Sequence, residues 1–365
     1  MRRSVVVLLC LAVIVGLTAG AQDAACGLPT HGWETAVPEA VGLDGARLES
    51  SETTVEDELP FVRSVLVIRH GCLAYEQYYG DVDADEAVNV FSVTKSVTAT
   101  LVGIALTEDA IGSVHDSIAD YLDLEADNPR AAITVRHLLW MLSGLGWEEG
   151  RLAHIGGMLA GTRDEVGFIL GLPLDHVPGT TWNYSTADSH LLSAILTAVT
   201  GVPTSDFAAE KLFGPLGIVP EEWQADSDGI NFGGTQLWLT PRDMAKFGLL
   251  ILADGRWGDE ELVSPDWIAF MIRPQLADPS EYRQSYAAHW WYTLFDGYAP
   301  MAAAVGYGGQ FILVAPELDT IIVVTASSTR GSSYISGAAS AQQVEDILDY
   351  IELSVLPALQ PEPAR

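Results

Sequence analysis

The sequence contains little lysine and little cysteine, and beyond its N-terminal segment 1–21 it has no long apolar run. Its three lysines, Lys95, Lys211 and Lys246, stand against 49 acidic residues, and the formal net charge is −31. So acidic a chain should repel nucleic acid and anionic lipid, which argues against a nucleic-acid-binding protein. The eight histidines form no His-x-x-x-His or His-Glu-x-x-His pair. We therefore expect no metal site and no cofactor.

The N-terminal segment 1–21 has the pattern of a secretory signal peptide. Arg2 and Arg3 precede the apolar run Val5–Leu17, and an Ala-Gly-Ala cleavage pattern ends at Ala21. The apolar run is short for a bilayer span, which disfavours the alternative of a retained membrane anchor. We therefore predict a secreted, periplasmic or cell-surface protein with no membrane segment after cleavage. Its mature charge is 16 − 49 = −33.

Cysteine use leaves one structural question open. Cys10 lies within the predicted signal peptide, so Cys26 and Cys72 are the two cysteines of the mature chain. In an oxidising compartment the pair can form a disulfide bond. They can equally remain two buried thiols, and the sequence does not decide between the two.

Strand patterns occur near both ends of the chain, and helical patterns lie between them. We predict strands at 64–70, 72–79, 310–315 and 320–325, and helices at 44–53, 92–107, 135–142, 186–200, 241–254 and 338–353. This order predicts an α/β (α+β) fold in which both ends of the chain contribute to one antiparallel sheet flanked by helices. We expect one domain at 22–365, with a sheet subdomain at about 22–90 and 235–358 and an all-helical subdomain at about 91–234.

A Ser-x-x-Lys sequence opens the apolar helix predicted at 92–107. Because three residues make nearly one helical turn, the side chains of Ser92 and Lys95 should be neighbours on one face. A serine hydroxyl becomes a good nucleophile when a base removes its proton. Burial at this apolar helix start would lower the lysine pKa and so supply that base. Taken alone the four-residue pattern is common, and the hypothesis needs partners elsewhere in the chain.

Two further segments can supply such partners. Tyr184 precedes the helix at 186–200, and a phenol beside a lysine can act as general base and then general acid. The alternative is an ordinary core tyrosine. Glycines in the segment Gly306–Gln310 would let a strand edge approach a substrate and offer an N–H group to an oxyanion, with the N–H of Ser92 as second donor. The alternative there is a glycine turn within a hairpin.

Taken together, these motifs resemble the serine β-lactamase-related hydrolases. The matching segments are Phe91–Ser96, Ile133–Leu139 with Ser143-Gly-Leu, and Pro178-Gly-Thr followed by Tyr184-Ser185. The group includes class C β-lactamases, D-alanyl-D-alanine carboxypeptidases, esterases and 6-aminohexanoate-dimer hydrolases. The similarity runs from about residue 64 to 351 and implies a β-lactamase/transpeptidase-like fold, with the active site between the sheet and the helical domain.

The resemblance also implies roles for individual residues. Ser92 resembles the acylated nucleophile, Lys95 its basic partner and Tyr184 the general base. The sequence Tyr307-Gly308-Gly309 resembles the Lys-Thr-Gly strand, which would place the Gln310 N–H in the oxyanion hole and make Tyr307, Gly308, Gly309 and Thr186 substrate-binding residues. Thr186 stands where β-lactamases carry asparagine, and Tyr307 where they carry lysine. Both departures argue against efficient penicillin hydrolysis.

The sequence therefore predicts a secreted serine hydrolase of the esterase or 6-aminohexanoate-oligomer type. Its expected partner is a small ester or uncharged amide, cleaved through an acyl-enzyme on Ser92. The alternatives are a D-alanyl-D-alanine carboxypeptidase or weak β-lactamase and, from another class, a binding protein that retained the fold. Four tryptophans are further candidates for the cleft: Trp182, Trp238, Trp290 and Trp291.

Overall fold

A computed structural model of the chain describes residues 26–30, 32–125, 127–273, 284–330 and 333–359. The predicted signal peptide lies outside these residues. The strands of the described residues are β1 (Val62–Arg69), β2 (Cys72–Tyr78), β3 (Val88–Asn89), β4 (Glu222–Trp223), β5 (Leu237–Leu239), β6 (Arg256–Trp257), β7 (Glu260–Glu261), β8 (Gln284–Tyr286), β9 (Trp291–Thr293), β10 (Met301–Gly306), β11 (Gln310–Ala315), β12 (Thr320–Ala326), β13 (Thr329–Arg330) and β14 (Ser333–Tyr334).

The main sheet joins the two ends of the chain, as the sequence predicts. Its seven strands follow the order β2-β1-β12-β11-β10-β9-β8, and all of its pairings are antiparallel. Strand β1 pairs with β2 on one side and with β12 on the other, with Val65 opposite Val324. The predicted fold class, an antiparallel sheet with flanking helices, is therefore confirmed.

The α-helices of the described residues are α1 (Gly45–Glu58), α2 (Val93–Thr107), α3 (Val135–Leu139), α4 (Gly157–Ala160), α5 (Glu165–Gly171), α6 (Thr186–Thr200), α7 (Thr204–Ala208), α8 (Gly214–Leu216), α9 (Pro241–Leu252), α10 (Pro265–Ile272) and α11 (Gly337–Tyr350). Some of them cover the two faces of the main sheet. Along β1, Leu66 and Ile68 are buried on the face that also buries side chains of α2, α6 and α9. Val65 and Val67 are buried on the opposite face with α1 and α11. Two-sided burial explains why the central strands read as continuous apolar runs.

Several element boundaries differ from the prediction. Helix α1 continues to Glu58 because Val55 is buried and extends its apolar face. Helix α3 ends at Leu139, since Met141 adopts the left-handed conformation with φ 59°. Strand β10 was not predicted, because the alanine run at 302–304 has low strand propensity. Its packing in the sheet overrides that local preference.

The structure also answers the cysteine question. Cys26 and Cys72 form a disulfide bond that connects the start of the described chain to strand β2. The bond closes a sequence separation of 46 residues.

No single helix of the described residues is long and apolar enough to cross a membrane. One bent pair of helices, Thr186–Thr200 with Thr204–Leu216, has the required length and apolar composition when the two are taken together.

Candidate active site

Ser92 lies immediately before helix α2, in an unusual backbone environment. The preceding residue, Phe91, has φ 46°, a left-handed conformation that costs a non-glycine residue about 1–2 kcal/mol. Its N–H donates to Asn89 Oδ1 at 2.9 Å, which helps to hold this turn. The turn leaves Ser92 half-buried and places it on the wall of a cleft of about 690 Å³. The predicted neighbour relation between Ser92 and Lys95 is present.

Lys95 is 1% exposed and makes three short polar contacts. Its Nζ donates to Ser92 Oγ at 3.0 Å, to Thr186 Oγ1 at 2.8 Å and to the Gly234 carbonyl at 3.0 Å. Burial lowers the pKa of Lys95 to about 8, although the nearby charge of Glu149 acts in the opposite direction. An amine with such a pKa is partly neutral near pH 7 and lies within reach of the serine hydroxyl. It can therefore accept the serine proton.

Tyr184 lines the same cleft and faces Lys95. The lysine Nζ lies 4.9 Å from the centroid of the tyrosine ring, and Trp291 stacks on that ring with a centroid distance of 5.9 Å. Burial raises the pKa of Tyr184 well above its ordinary value; the charge of Glu149 raises it further, and a hydrogen bond with Ser92 lowers it. Tyr184 is therefore a neutral phenol at ordinary pH, suited to donating a proton or a hydrogen bond.

The backbone donors of the site differ from the predicted pair. Both Ser92 and Tyr307 line the cleft, and within the described ranges neither of their N–H groups donates to another protein group. Gln310 does not line the cleft. It is 1% exposed, pairs with Gly306 across the β10–β11 hairpin, and its side-chain amide donates to the Ala326 carbonyl at 2.7 Å. Gln310 is therefore poorly placed for the predicted oxyanion hole, and Tyr307 is the hairpin residue that lines the cleft with its N–H uncommitted among the described residues.

The glycines of this hairpin have a structural role rather than the predicted substrate-binding role. Gly308 and Gly309 have φ 79° and 102°, and a Cβ at Gly309 would lie 2.4 Å from Ile347 Cδ1. Their N–H groups are already used, since Gly308 donates to Ser340 Oγ at 2.8 Å and Gly309 donates to the Gly306 carbonyl at 3.1 Å. Neither glycine is among the residues that line the cleft.

The Tyr307 side chain is held by the protein itself. Its hydroxyl donates to the carbonyl of Ile335, and its ring lies 5.5 Å from the ring of Phe91. Phe91 also contacts Tyr334 edge-on, at a centroid distance of 5.9 Å. Because its hydroxyl proton is committed, Tyr307 cannot offer a substrate carboxylate the hydrogen bond that the sequence suggested. Its ring instead forms part of the cleft wall.

Thr186 lines the cleft and contacts Lys95 with its hydroxyl. It is 1% exposed, and its Oγ1 lies between Lys95 Nζ and the carboxylate of Glu149. The Thr186 N–H donates to Glu149 Oε2 at 2.9 Å, and Trp147 Nε1 donates to the same oxygen at 2.6 Å. Glu149 was not predicted. Nothing in the sequence distinguishes it from the other acidic residues, apart from its position shortly after the Ser-Gly-Leu motif.

Asp188 is a fully buried carboxylate beside the site. Asp188 accepts hydrogen bonds from Ser143 Oγ at 2.7 Å and from Ser185 Oγ at 2.9 Å, and burial raises its pKa to about 7. These contacts tie the Ser-Gly-Leu loop to the start of α6 and so fix Tyr184, which precedes Ser185. The motif residues Ser143 and Ser185 therefore act on the site through Asp188.

The rest of the cleft is apolar and acidic. One wall is the first half of α11, where Gly337, Ala341 and Val344 present small or apolar side chains. Its lining contains two carboxylates, Glu149 and Glu345, and no lysine or arginine. Of the four candidate tryptophans Trp291 lines the cleft, whereas Trp290 is buried in the core. The described residues contain no group of three histidine, cysteine or acidic side chains placed to hold a metal ion.

This fold, with a Ser-x-x-Lys pair beside a cleft next to the sheet, is that of the serine β-lactamase-type hydrolases. The chain belongs to the beta-lactamase family, whose model matches residues 62–345. It is 24% identical over 338 residues to the 6-aminohexanoate-dimer hydrolase of Paenarthrobacter ureafaciens, with 82% of each chain covered. It is 27% identical over 208 residues to esterase EstB of Burkholderia gladioli, covering 50% of this chain and 53% of the esterase.

Solved structures share the fold. A putative 6-aminohexanoate-dimer hydrolase from Bacillus anthracis superposes with a TM-score of 0.71 at 18% identity and covers 92% of this chain and 91% of its own. A putative beta-lactamase from Bacteroides dorei gives a TM-score of 0.68 at 21% identity, with 84% and 98% covered. The predicted family resemblance is therefore confirmed, and these structural similarities establish the fold alone.

Proposed function

We propose that this chain hydrolyses carboxylic esters or small uncharged amides through an acyl-enzyme on Ser92. One observation carries the proposal: Ser92 Oγ lies 3.0 Å from the Nζ of a buried lysine whose pKa is lowered to about 8. A binding protein that had merely kept the fold would have no need for a lysine desolvated beside an accessible serine. The esterase and 6-aminohexanoate-dimer hydrolase among the relatives are consistent with this reaction class.

The geometry of the site supports the following route to the acyl-enzyme. The neutral amine of Lys95 takes the Ser92 proton while Ser92 Oγ attacks the substrate carbonyl carbon. The carbonyl oxygen becomes an oxyanion and accepts hydrogen bonds from the N–H groups of Ser92 and Tyr307. When the tetrahedral intermediate collapses, the leaving alcohol or amine receives a proton from the neutral phenol of Tyr184, which Lys95 then reprotonates. Water hydrolyses the acyl-enzyme by the reverse proton path.

The cleft favours uncharged substrates. Its walls carry aromatic and small apolar side chains, its two carboxylates are Glu149 and Glu345, and Lys95 is buried and does not line it. A substrate carboxylate would find no charge-assisted hydrogen bond, which is about twice as strong as a neutral one. The mature charge of −33 (16 − 49) adds a repulsive field. A carboxypeptidase or β-lactamase activity therefore fits this cleft less well.

We also propose that the protein works outside the cytoplasm. The disulfide between Cys26 and Cys72 supports an oxidising compartment, in agreement with the signal-peptide pattern of the segment 1–21.

The test is covalent labelling with a serine-directed alkyl phosphonate fluorophore, followed by peptide mapping. We expect one adduct, on Ser92, and no turnover of p-nitrophenyl butyrate by Ser92→Ala. Ser96→Ala is the matched control, since Ser96 lies one turn further along α2 and its hydroxyl donates to the His289 carbonyl outside the cleft. Labelling at a different serine, or ester turnover by Ser92→Ala, would contradict the proposal.

A further inference from the structure

The carboxylate of Glu149 is held in one orientation by three hydrogen bonds. Its Oε2 accepts from Trp147 Nε1 at 2.6 Å and from the Thr186 N–H at 2.9 Å, and its Oε1 accepts from Thr186 Oγ1. Thr186 Oγ1 in turn lies 2.8 Å from Lys95 Nζ. Glu149 therefore reaches the catalytic lysine through a single hydroxyl group.

These contacts fix the direction of each hydrogen bond in the series that runs from Glu149 through Thr186 to Lys95. An ionised carboxylate only accepts hydrogen bonds, so the one hydroxyl proton of Thr186 must point to Glu149. Thr186 Oγ1 can then only accept from Lys95. The carbonyl oxygen of Gly234, 3.0 Å from Lys95 Nζ, is likewise an acceptor and also requires a lysine N–H.

Counting donors on the neutral lysine gives the consequence. A neutral amine has two N–H groups and one lone pair, and Thr186 and Gly234 take both N–H groups. The lone pair must then face the remaining partner, Ser92 Oγ, at 3.0 Å. We propose that Glu149 is a positioning residue that, by holding the Thr186 hydroxyl as an acceptor toward Lys95, keeps the lysine lone pair directed at Ser92. This inference rests on the proposed acylation of Ser92 and assigns a further residue to it.

Replacement of Glu149 by glutamine should reverse the direction of the hydrogen bonds between position 149, Thr186 and Lys95. Two N–H donors, from Trp147 and Thr186, converge on the Oε2 position, so the amide oxygen of glutamine will occupy it. The amide NH₂ then faces Thr186 Oγ1 as a donor. The Thr186 proton must turn away, and the lone pair of Lys95 is the acceptor that it meets at 2.8 Å. The base is then occupied in a hydrogen bond and unable to accept the serine proton.

The experiment is a double-mutant cycle with Glu149→Gln and Thr186→Val. The readout is the single-turnover acylation rate with p-nitrophenyl butyrate, with KM and the thermal midpoint measured alongside. We expect Glu149→Gln to slow acylation about 100-fold with little change in KM, as for the loss of a general base. Thr186→Val removes one hydrogen bond to Lys95 but frees no competing proton, and we expect about a tenfold loss. The double variant should match Thr186→Val within about threefold and be faster than Glu149→Gln alone.

Two controls sharpen the cycle. Glu148→Gln makes the same charge change one residue away, on a side chain that is 66% exposed, and should leave acylation unchanged. Thr186→Ser keeps the hydroxyl, so Glu149→Gln should remain about 100-fold harmful in that background.

The outcomes separate the two claims. If Glu149→Gln slows acylation by the same factor whether position 186 carries valine or threonine, Glu149 acts on the substrate or through its charge, and the inference is wrong. If Glu149→Gln acylates at the wild-type rate, the inference is wrong while the acylation of Ser92 stands. If the wild type forms no acyl-enzyme on Ser92, the proposed function and the inference fall together.

Discussion

The lowered pKa of Lys95 predicts a specific pH dependence for acylation. Only the neutral amine can take the Ser92 proton, so the rate should follow the fraction of Lys95 that is deprotonated. With a pKa of about 8 that fraction is about 1% at pH 6, about 9% at pH 7 and about 90% at pH 9. With the unperturbed value of 10.5 it would be about 0.03% at pH 7, so burial enlarges the pool of free base about 300-fold.

The assay is kcat/KM for p-nitrophenyl butyrate from pH 5.5 to 9.5, with spontaneous hydrolysis subtracted, because this ratio reports the free enzyme. We expect a rise of about tenfold per pH unit at the acid end and a plateau above pH 9. Lys95→Arg should lose the activity at every pH, since a guanidinium does not deprotonate in proteins.

Four ionisable groups near Lys95 must be separated from it. The charge of Glu149 raises the lysine pKa, and Tyr184 has a raised pKa of its own and stays neutral across the range. Burial and the charge of Lys95 lower the pKa of His289 to about 3, so it also stays neutral. Asp188 is the true competitor, with a pKa raised to about 7. Asp188→Asn should leave the midpoint of the kcat/KM profile near pH 8. If this midpoint disappears in Asp188→Asn, or if it lies below about pH 6 in the wild type, the assignment of the profile to Lys95 is refuted.

Three further predictions test the rest of the site. Lys95→Ala and Tyr184→Phe should each slow acylation about 100-fold or more, and the double variant should be little worse than the poorer single one, because the two side chains act as one unit; additive losses in single-turnover rates would contradict this. Loss of the disulfide by Cys72→Ser should lower the free energy of unfolding by about 4 kcal/mol, the chain-entropy value for a separation of 46 residues, and urea unfolding with and without reductant measures it. The wild type should prefer p-nitrophenyl butyrate to nitrocefin in kcat/KM, and Tyr307→Lys should move that ratio towards nitrocefin by adding a cation to the cleft wall; a wild-type preference for nitrocefin would show that the cleft has been misread.

The half of the site that depends on short sequence spacing was predictable. Ser92 and Lys95 are one helical turn apart, and the helix that follows Tyr184 has a serine N-cap, Ser185, and a glycine stop. Local periodicity and capping are enough to place such side chains on one face. For the same reason the predicted range of α6 is the observed one.

The half that depends on long-range packing was not predictable. Whether Tyr307 or Gln310 offers its N–H to the cleft is decided by where the β10 strand ends and how the turn rests on α11, which lies well beyond the hairpin in the sequence. Glu149 is one of 49 acidic residues, and its contact with Thr186 spans 37 positions in the sequence. No local pattern carries that information, because the contacts exist only once the helices have packed.

The two halves of the site are joined through Phe91. The proposed acid–base half, Lys95 with Thr186 and Glu149, belongs to helices and loops of the central segment, whereas the proposed second oxyanion donor, Tyr307, belongs to the C-terminal hairpin. Phe91 directly precedes the nucleophile, and its ring lies 5.5 Å from that of Tyr307, whose hydroxyl is in turn bound to the segment before α11. A left-handed backbone at Phe91 costs energy and persists only when surrounding contacts enforce it. Two contacts meet at this residue, the ring contact with Tyr307 and the hydrogen bond from the Phe91 N–H to Asn89 Oδ1. The C-terminal hairpin therefore packs against the residue that directly precedes Ser92, and the oxyanion-hole role that we propose for the Tyr307 N–H depends on this contact.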